Sequence, residues 1–196
     1  MNRTIYNPVI RDTTTFIRTA AETGYQYTEA EVTLMPGGGT PMHYHETFEE
    51  TFIVSSGTLT LQLGRRSTLW LKPGEYHSVP AGKTHRFFNA TQNPVTFKVL
   101  IAPGNTGFEH ALRILYGLAE DGYTDSKGLP KKLAHTAVIM TISDMNAPGI
   151  LSFLMPFFKL YSRSKRGKSV RRYLLNRYCR QLKGIPEQKV TAALTV

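Results

Sequence analysis

The chain has 196 residues, a mass of 22.0 kDa and a formal net charge of +10, enough for one sizeable domain with an appendage. Its 41% hydrophobic and 19% charged residues exclude wholesale disorder, and a single cysteine, Cys179, excludes an intramolecular disulfide framework and fits a reducing compartment. The opening Met1-Asn2-Arg3-Thr4-Ile5-Tyr6-Asn7-Pro8 carries no apolar run of signal-peptide length, so a cytoplasmic location is expected.

Residues 12–101 read as β throughout. Thr13 to Thr19 and Tyr25 to Leu34 are rich in Thr, Tyr, Val, Ile and Phe. Thr51–Val54, Thr58–Leu63, Ser67–Leu71, His77–Val79, His85–Asn89 and Thr96–Ile101 continue the pattern. Turn signals such as Pro36-Gly37-Gly38-Gly39, Ser55-Ser56-Gly57, Lys72-Pro73-Gly74 and Pro80-Ala81-Gly82 separate them. Short strands at this spacing mean a sandwich or barrel.

After Pro103-Gly104 the period changes. Phe108, Leu112, Leu115 and Leu118-Ala119 recur at helical spacing and stop at Asp121-Gly122. Pro130 to Met145 is expected to be a second helix, with Pro130 near its first turn. A third, Ile150 to about Lys165, is strongly apolar, and Pro156 should kink it. Gly167 then leads into a basic helix, Ser169 to Leu182, and a polar tail. The expected division is a barrel over 1–103 and a helical extension over 104–196. The charge is as segregated as the periodicity: Phe157 to Val196 holds eleven Lys or Arg and one acid, so the whole excess sits in the last forty residues.

Two stretches carry the chemistry. The first runs from Gly37 to Gly57 and includes His43, His45, Glu49 and Glu50; the second runs from Gly74 to Asn89 and includes His77 and His85. His43 and His45 are two residues apart, so in a strand both imidazoles project from one face. Three imidazoles and a carboxylate make a borderline nitrogen/oxygen donor set that suits iron, manganese, nickel, copper or zinc and does not suit calcium.

In detail these stretches resemble the two motifs of the cupin superfamily. The first motif, G-x5-H-x-H-x(3,4)-E-x6-G, is met by Gly37, His43, His45, Glu50 and Gly57. The second, G-x5-P-x-G-x2-H-x3-N, is met by Gly74, Pro80, Gly82, His85 and Asn89. A three-residue spacer would select Glu49, but the count to Gly57 favours Glu50. The resemblance covers about residues 12–102 and is closest to single-domain barrels of the quercetin-dioxygenase type. It implies a mainly β fold, a double-stranded β-helix (jelly-roll) barrel, here followed by an α-helical C-terminal extension. It also implies one divalent transition metal held by His43, His45, Glu50 and His85 inside the barrel mouth. Phe87, on the strand face of His85, would wall the pocket. His77 is a candidate for the rim, His110 and His135 read as packing or surface residues, and Trp70 and Tyr76 as core or rim aromatics.

Such a site leaves one or two metal positions free for oxygen or substrate. The reading it supports is a metal-dependent oxygenase acting on a small aromatic or enolic molecule, with Glu50 also serving as catalytic base. The alternatives are a metal-dependent isomerase and a non-catalytic ligand-binding barrel. No phosphate loop or nucleophile elbow is present, and no helix-turn-helix supports nucleic-acid binding. A homodimer fits the barrel type. The apolar-then-basic segment 150–183 fits peripheral contact with an anionic membrane, although packing on the barrel or across a dimer is the more ordinary fate of such a stretch.

Overall fold

In this computed structural model, residues 3–179 are described. The end of the expected basic helix, the tail, and residues 180–183 of the segment proposed for membrane contact lie outside the described residues.

Among the described residues, nine strands precede four α-helices. The strands are β1 (Thr4–Asn7), β2 (Asp12–Arg18), β3 (Thr28–Leu34), β4 (Glu49–Ser56), β5 (Leu59–Leu63), β6 (Ser67–Leu71), β7 (Tyr76–Val79), β8 (His85–Phe88) and β9 (Val95–Ala102). They form two antiparallel sheets, ordered β1-β2-β3-β9-β4-β7 and β6-β5-β8. The architecture is the expected jelly roll. Strict alternation makes it work: β3, β4 and β9 bury every second residue. Their inward side chains, including Val32, Leu34, Phe52, Val54, Phe97 and Ile101, meet Leu59, Leu61 and Phe87 from the smaller sheet in one core. Phe52, Phe87 and Phe97 stack in tilted and edge-on pairs.

Helices α1 (Thr106–Glu120), α2 (Leu133–Ser143), α3 (Ile150–Arg163) and α4 (Lys165–Tyr178) follow. The Asn105 side chain caps α1 by accepting from the Phe108 N–H. Two buried polar ties fasten α1 to the barrel. Glu109 accepts from the Ala20 N–H and the Thr28 hydroxyl, and the Tyr116 hydroxyl donates to Asp12 Oδ2 at 2.6 Å. Phe108 enters the barrel core, while Ala111, Ile114 and Leu118 pack with Val138, Ile139 and Leu174. Cys179 joins that second cluster, and burial pushes its thiol up to about 11, which leaves it inert.

Several expectations need correction. β1 carried no recognisable signal, yet it pairs with β2 at the edge of the large sheet. The third strand starts at Thr28, because residues 21–23 form a 3-10 turn and Tyr25 takes a positive φ of 65°. Pro130 lies outside α2: it bridges Thr124, and Lys131 N–H donates to Tyr123, so the helix starts at Leu133. α4 begins at Lys165, four residues before the expected Ser169, because the Ser164 hydroxyl caps it by accepting from Gly167 N–H. Gly167 is therefore inside the helix, where a Cβ would stand 2.1 Å from the Tyr161 carbonyl oxygen. Trp70 and Tyr76 are neither core nor rim; they lie exposed on the edge strands β6 and β7.

Gly39 sets the approach of the first motif to β8. A Cβ there would meet Phe88 Cβ at 2.5 Å and the Phe87 carbonyl at 2.7 Å. Gly39→Ala is expected to destabilise the fold by about 1–3 kcal/mol, read as a lower urea midpoint at unchanged slope.

Candidate metal centre

β4 delivers the carboxylate. Its alternation turns Glu49 out to solvent and Glu50 in, which decides between the two acids left open by the motif spacing. β8 delivers His85 on its inward face beside Phe87. His43 and His45 belong to no regular strand, contrary to the simplest expectation. They sit in a short bridged segment in which His43 and His85 exchange backbone hydrogen bonds of 2.9 and 2.8 Å. Pro41 and the glycines before it leave this segment too irregular for a longer ladder, but both imidazoles still face inward and are buried.

All four side chains are buried, and one ligand atom from each lies within 4.8 Å of every other. The hydrogen bonds explain the convergence. Each imidazole has its Nδ1 against a backbone carbonyl: His43 on Pro41 at 2.8 Å, His45 on Asp144 at 3.1 Å, His85 on Lys83 at 2.9 Å. A carbonyl only accepts, so every Nδ1 carries the proton; each Nε2 then either presents a lone pair, as in a neutral ring, or carries a second proton, as where His85 Nε2 donates to Glu50 Oε2. The three Nε2 atoms lie 4.0, 3.4 and 2.7 Å from Glu50 Oε2.

Lone pairs gathered around a carboxylate oxygen in a dry interior repel unless a cation or a proton lies among them. The protonation behaviour follows. Burial holds the His43 imidazole down to about 3, aided by charge repulsion from the neighbouring imidazoles of His85 and His45. Burial alone would raise Glu50, but His45 and His85 outweigh it and hold the carboxyl well below the usual carboxylate range. Burial pulls His85 down, and the hydrogen bond and charge of Glu50 outweigh that and raise it. His45 Nε2 is buried with no hydrogen-bond partner among the described residues. An orphaned, lone-pair-bearing nitrogen beside two imidazoles and an ionised carboxylate is what a divalent transition metal fits.

The cluster opens on a cavity of about 140 Å³. His43, Glu50 and Phe87 reach its wall; His77 does not. Most of the rest is apolar and comes from both parts of the chain: Val32, Val99 and Ile101 from the large sheet, Leu112, Ile139 and Met140 from the helices. An apolar cavity of about 150 Å³ accommodates benzene, so the volume suits a ligand of roughly one ring. In the same wall stand Asp12, Thr14 and Tyr116. Asp12 Oδ1 is buried without a hydrogen-bond partner among the described residues, and burial pushes the carboxyl up to about 7 while the Tyr116 O–H pulls against it.

Sequence reasoning missed Asp12, Tyr116 and Asp144. Asp144, in left-handed conformation after α2, accepts from the Glu46 and Thr47 N–H groups and the Thr47 hydroxyl. Its carbonyl also orients His45. Asn146 exchanges backbone hydrogen bonds with Tyr44 beside it. A lone Asp between two helices carries no motif, so only the folded structure connects it with residues a hundred positions earlier. Asp144→Ala is expected to weaken divalent-metal affinity about 10-fold, measured by chelator competition; unchanged affinity would separate this clamp from the cluster.

Comparison with known proteins concerns the barrel. Among solved structures, a protein with a double-stranded β-helix domain from Klebsiella pneumoniae is similar at 23% identity, over 46% of this chain and 76% of that one, with a TM-score of 0.42. A cupin-superfamily sugar phosphate isomerase from Silicibacter pomeroyi is similar at 28% identity, over 47% and 59%, with a TM-score of 0.42. The polyketide cyclase RemF from Streptomyces resistomycificus is similar at 27%, over 47% and 65%, also at 0.42. No curated protein matches the chain. Residues 30–102 match the family model described as Cupin domain, and that span contains every strand from which the clustered side chains are supplied. This match assigns residues 30–102, the greater part of the barrel, to the Cupin domain family.

Proposed function

We propose that this chain is a metal-dependent enzyme that oxidises a small, largely apolar organic molecule, aromatic or enolic, with molecular oxygen. The observation that carries this reading is the placement of His43 and Glu50 on the wall of an apolar cavity of about 140 Å³. His43, His45, Glu50 and His85 would hold the ion. Bound there, iron, manganese, nickel or copper would supply oxygen activation, and zinc would supply carbonyl polarisation instead.

The protein's own groups do the rest. Phe87, Val99, Leu112 and Ile139 exclude water from the ligand's apolar body. Asp12 offers its unpartnered Oδ1 to a hydroxyl donor on the same ligand. Glu50 can receive the proton of an enol or phenol that approaches the cluster. Its carboxyl is a weak base, because its histidine partners hold it so firmly ionised.

That weakness favours a second reading, metal-assisted isomerisation. Asp12, at about 7, is better matched to moving protons near neutral pH. Oxygen uptake by metal-loaded protein given catechol or an enolisable β-diketone separates the two. Oxidation predicts uptake that falls about 10²–10⁴-fold in Glu50→Gln if Glu50 is the base. Turnover without oxygen, lost in Asp12→Asn, would replace oxidation with isomerisation. Normal metal binding and turnover in Glu50→Gln would remove Glu50 as the base.

Asp12 also predicts a pH signature of folding. Its folded value stands above the ordinary 3.8, so its stabilising contribution is complete below pH 4 and is lost as pH rises toward 7. His43, held at about 3, acts in the opposite sense, losing stability as pH falls from 6.5. The difference between wild type and Asp12→Asn, followed by urea unfolding from pH 4 to 8, therefore isolates the Asp12 contribution and should move in the wild type's favour as pH falls. A difference that does not vary with pH would show that Asp12 titrates normally.

A further inference from the structure

We propose that α3 and α4 form a peripheral anchor for an anionic lipid surface. Only one side of α3 packs on the protein: Met155 and Phe158 are buried against Ala137 and Met140 of α2. Ile150, Phe153, Phe157 and Leu160 are 77%, 79%, 67% and 70% exposed. At about 100° per residue, these four fall within an arc of about 80°. They form one continuous apolar stripe along the helix, unlike the singly scattered apolar residues that any surface carries.

The charge beside the stripe says what covers it. Residues 150–179 contain eight Lys or Arg and no Asp or Glu. Lys159 and Arg163 are on α3 itself, and Lys165, Arg166, Lys168, Arg171 and Arg172 follow on α4; all seven are exposed, and none makes an ion pair among the described residues. The eighth, Arg177, pairs with Asp121. On α4 the buried positions are Gly167 and Leu174, which leaves the cations on its outer side, with the half-exposed Tyr173 among them. An apolar stripe with cations beginning within one turn of it is the composition that enters the boundary of an anionic leaflet.

Other occupants fit less well. A second copy docked through this stripe by a two-fold axis would bring like charges together, because such an interface is self-complementary. Nucleic acid would satisfy the cations and leave the four apolar side chains in water. No described helix is long and apolar enough to cross a membrane, so the geometry is that of a helix lying on the surface. This inference is independent of the reaction at the metal centre.

Flotation of the full chain with vesicles of phosphatidylserine and phosphatidylcholine (3:7), against pure phosphatidylcholine, at near-physiological salt, tests it. The chain should float with the anionic vesicles. Phe153→Ser with Phe157→Ser should cut that fraction at least about tenfold, and Arg171→Glu with Arg172→Glu should abolish the preference for anionic lipid. Metal affinity of each variant, unchanged, verifies the fold. Wild type left in the buffer, whether as a monomer or as a dimer that Phe153→Ser dissociates, overturns the proposal. So does flotation indifferent to the two phenylalanines.

Discussion

The site depends on three hydrogen bonds from imidazole Nδ1 to backbone carbonyls. They fix the tautomer and the ring orientation together, so that Nε2 of His43, His45 and His85 can only face Glu50. Two of the carbonyls lie two residues before the histidine they hold, at Pro41 and Lys83, and so come with the local fold of each motif. The third, from Asp144, comes from the far end of α2. Ligand geometry in this barrel is therefore completed by a helix, and perturbing that helix terminus reaches the cluster without touching a ligand.

The helices also decide what the barrel can hold. The sheets alone would leave the mouth open to water. Phe108, Leu112, Ile139 and Met140 close it with hydrocarbon, and Tyr116 brings a hydroxyl to Asp12. A carboxyl buried with one free oxygen is destabilising unless a ligand or a proton satisfies it. Keeping it beside a metal-binding cluster is a pattern of function more than of stability.

Much of this was legible in the sequence. The ten motif positions lie in order at fixed spacings, so the cluster could be named from His43, His45, Glu50 and His85 before any fold was known. The short β-rich runs parted by turn signals and the change of period after Pro103 carried the fold class. The remainder was illegible for physical reasons. β1 is four residues long and has no alternation to read. The start of α4 was set by the Ser164 cap and by close packing at Gly167, where glycine in sequence suggests a break. Trp70 and Tyr76 turned outward because the core takes Leu71 and Val79 from the opposite face of β6 and β7, a facing that only the assembled sheets fix. Asp12, Tyr116 and Asp144 act through contacts that join residues about a hundred positions apart, a distance at which single-residue patterns carry no signal.

Metal analysis of the full chain, purified without chelator or affinity metal, bears most directly on the convergence of these four side chains around one cation. The account predicts close to one equivalent of a divalent transition metal per chain, lost in His85→Ala while the β-sheet circular dichroism is retained. A chain that carries no metal as isolated, and takes up none saturably from iron, manganese, nickel, copper or zinc, would contradict it.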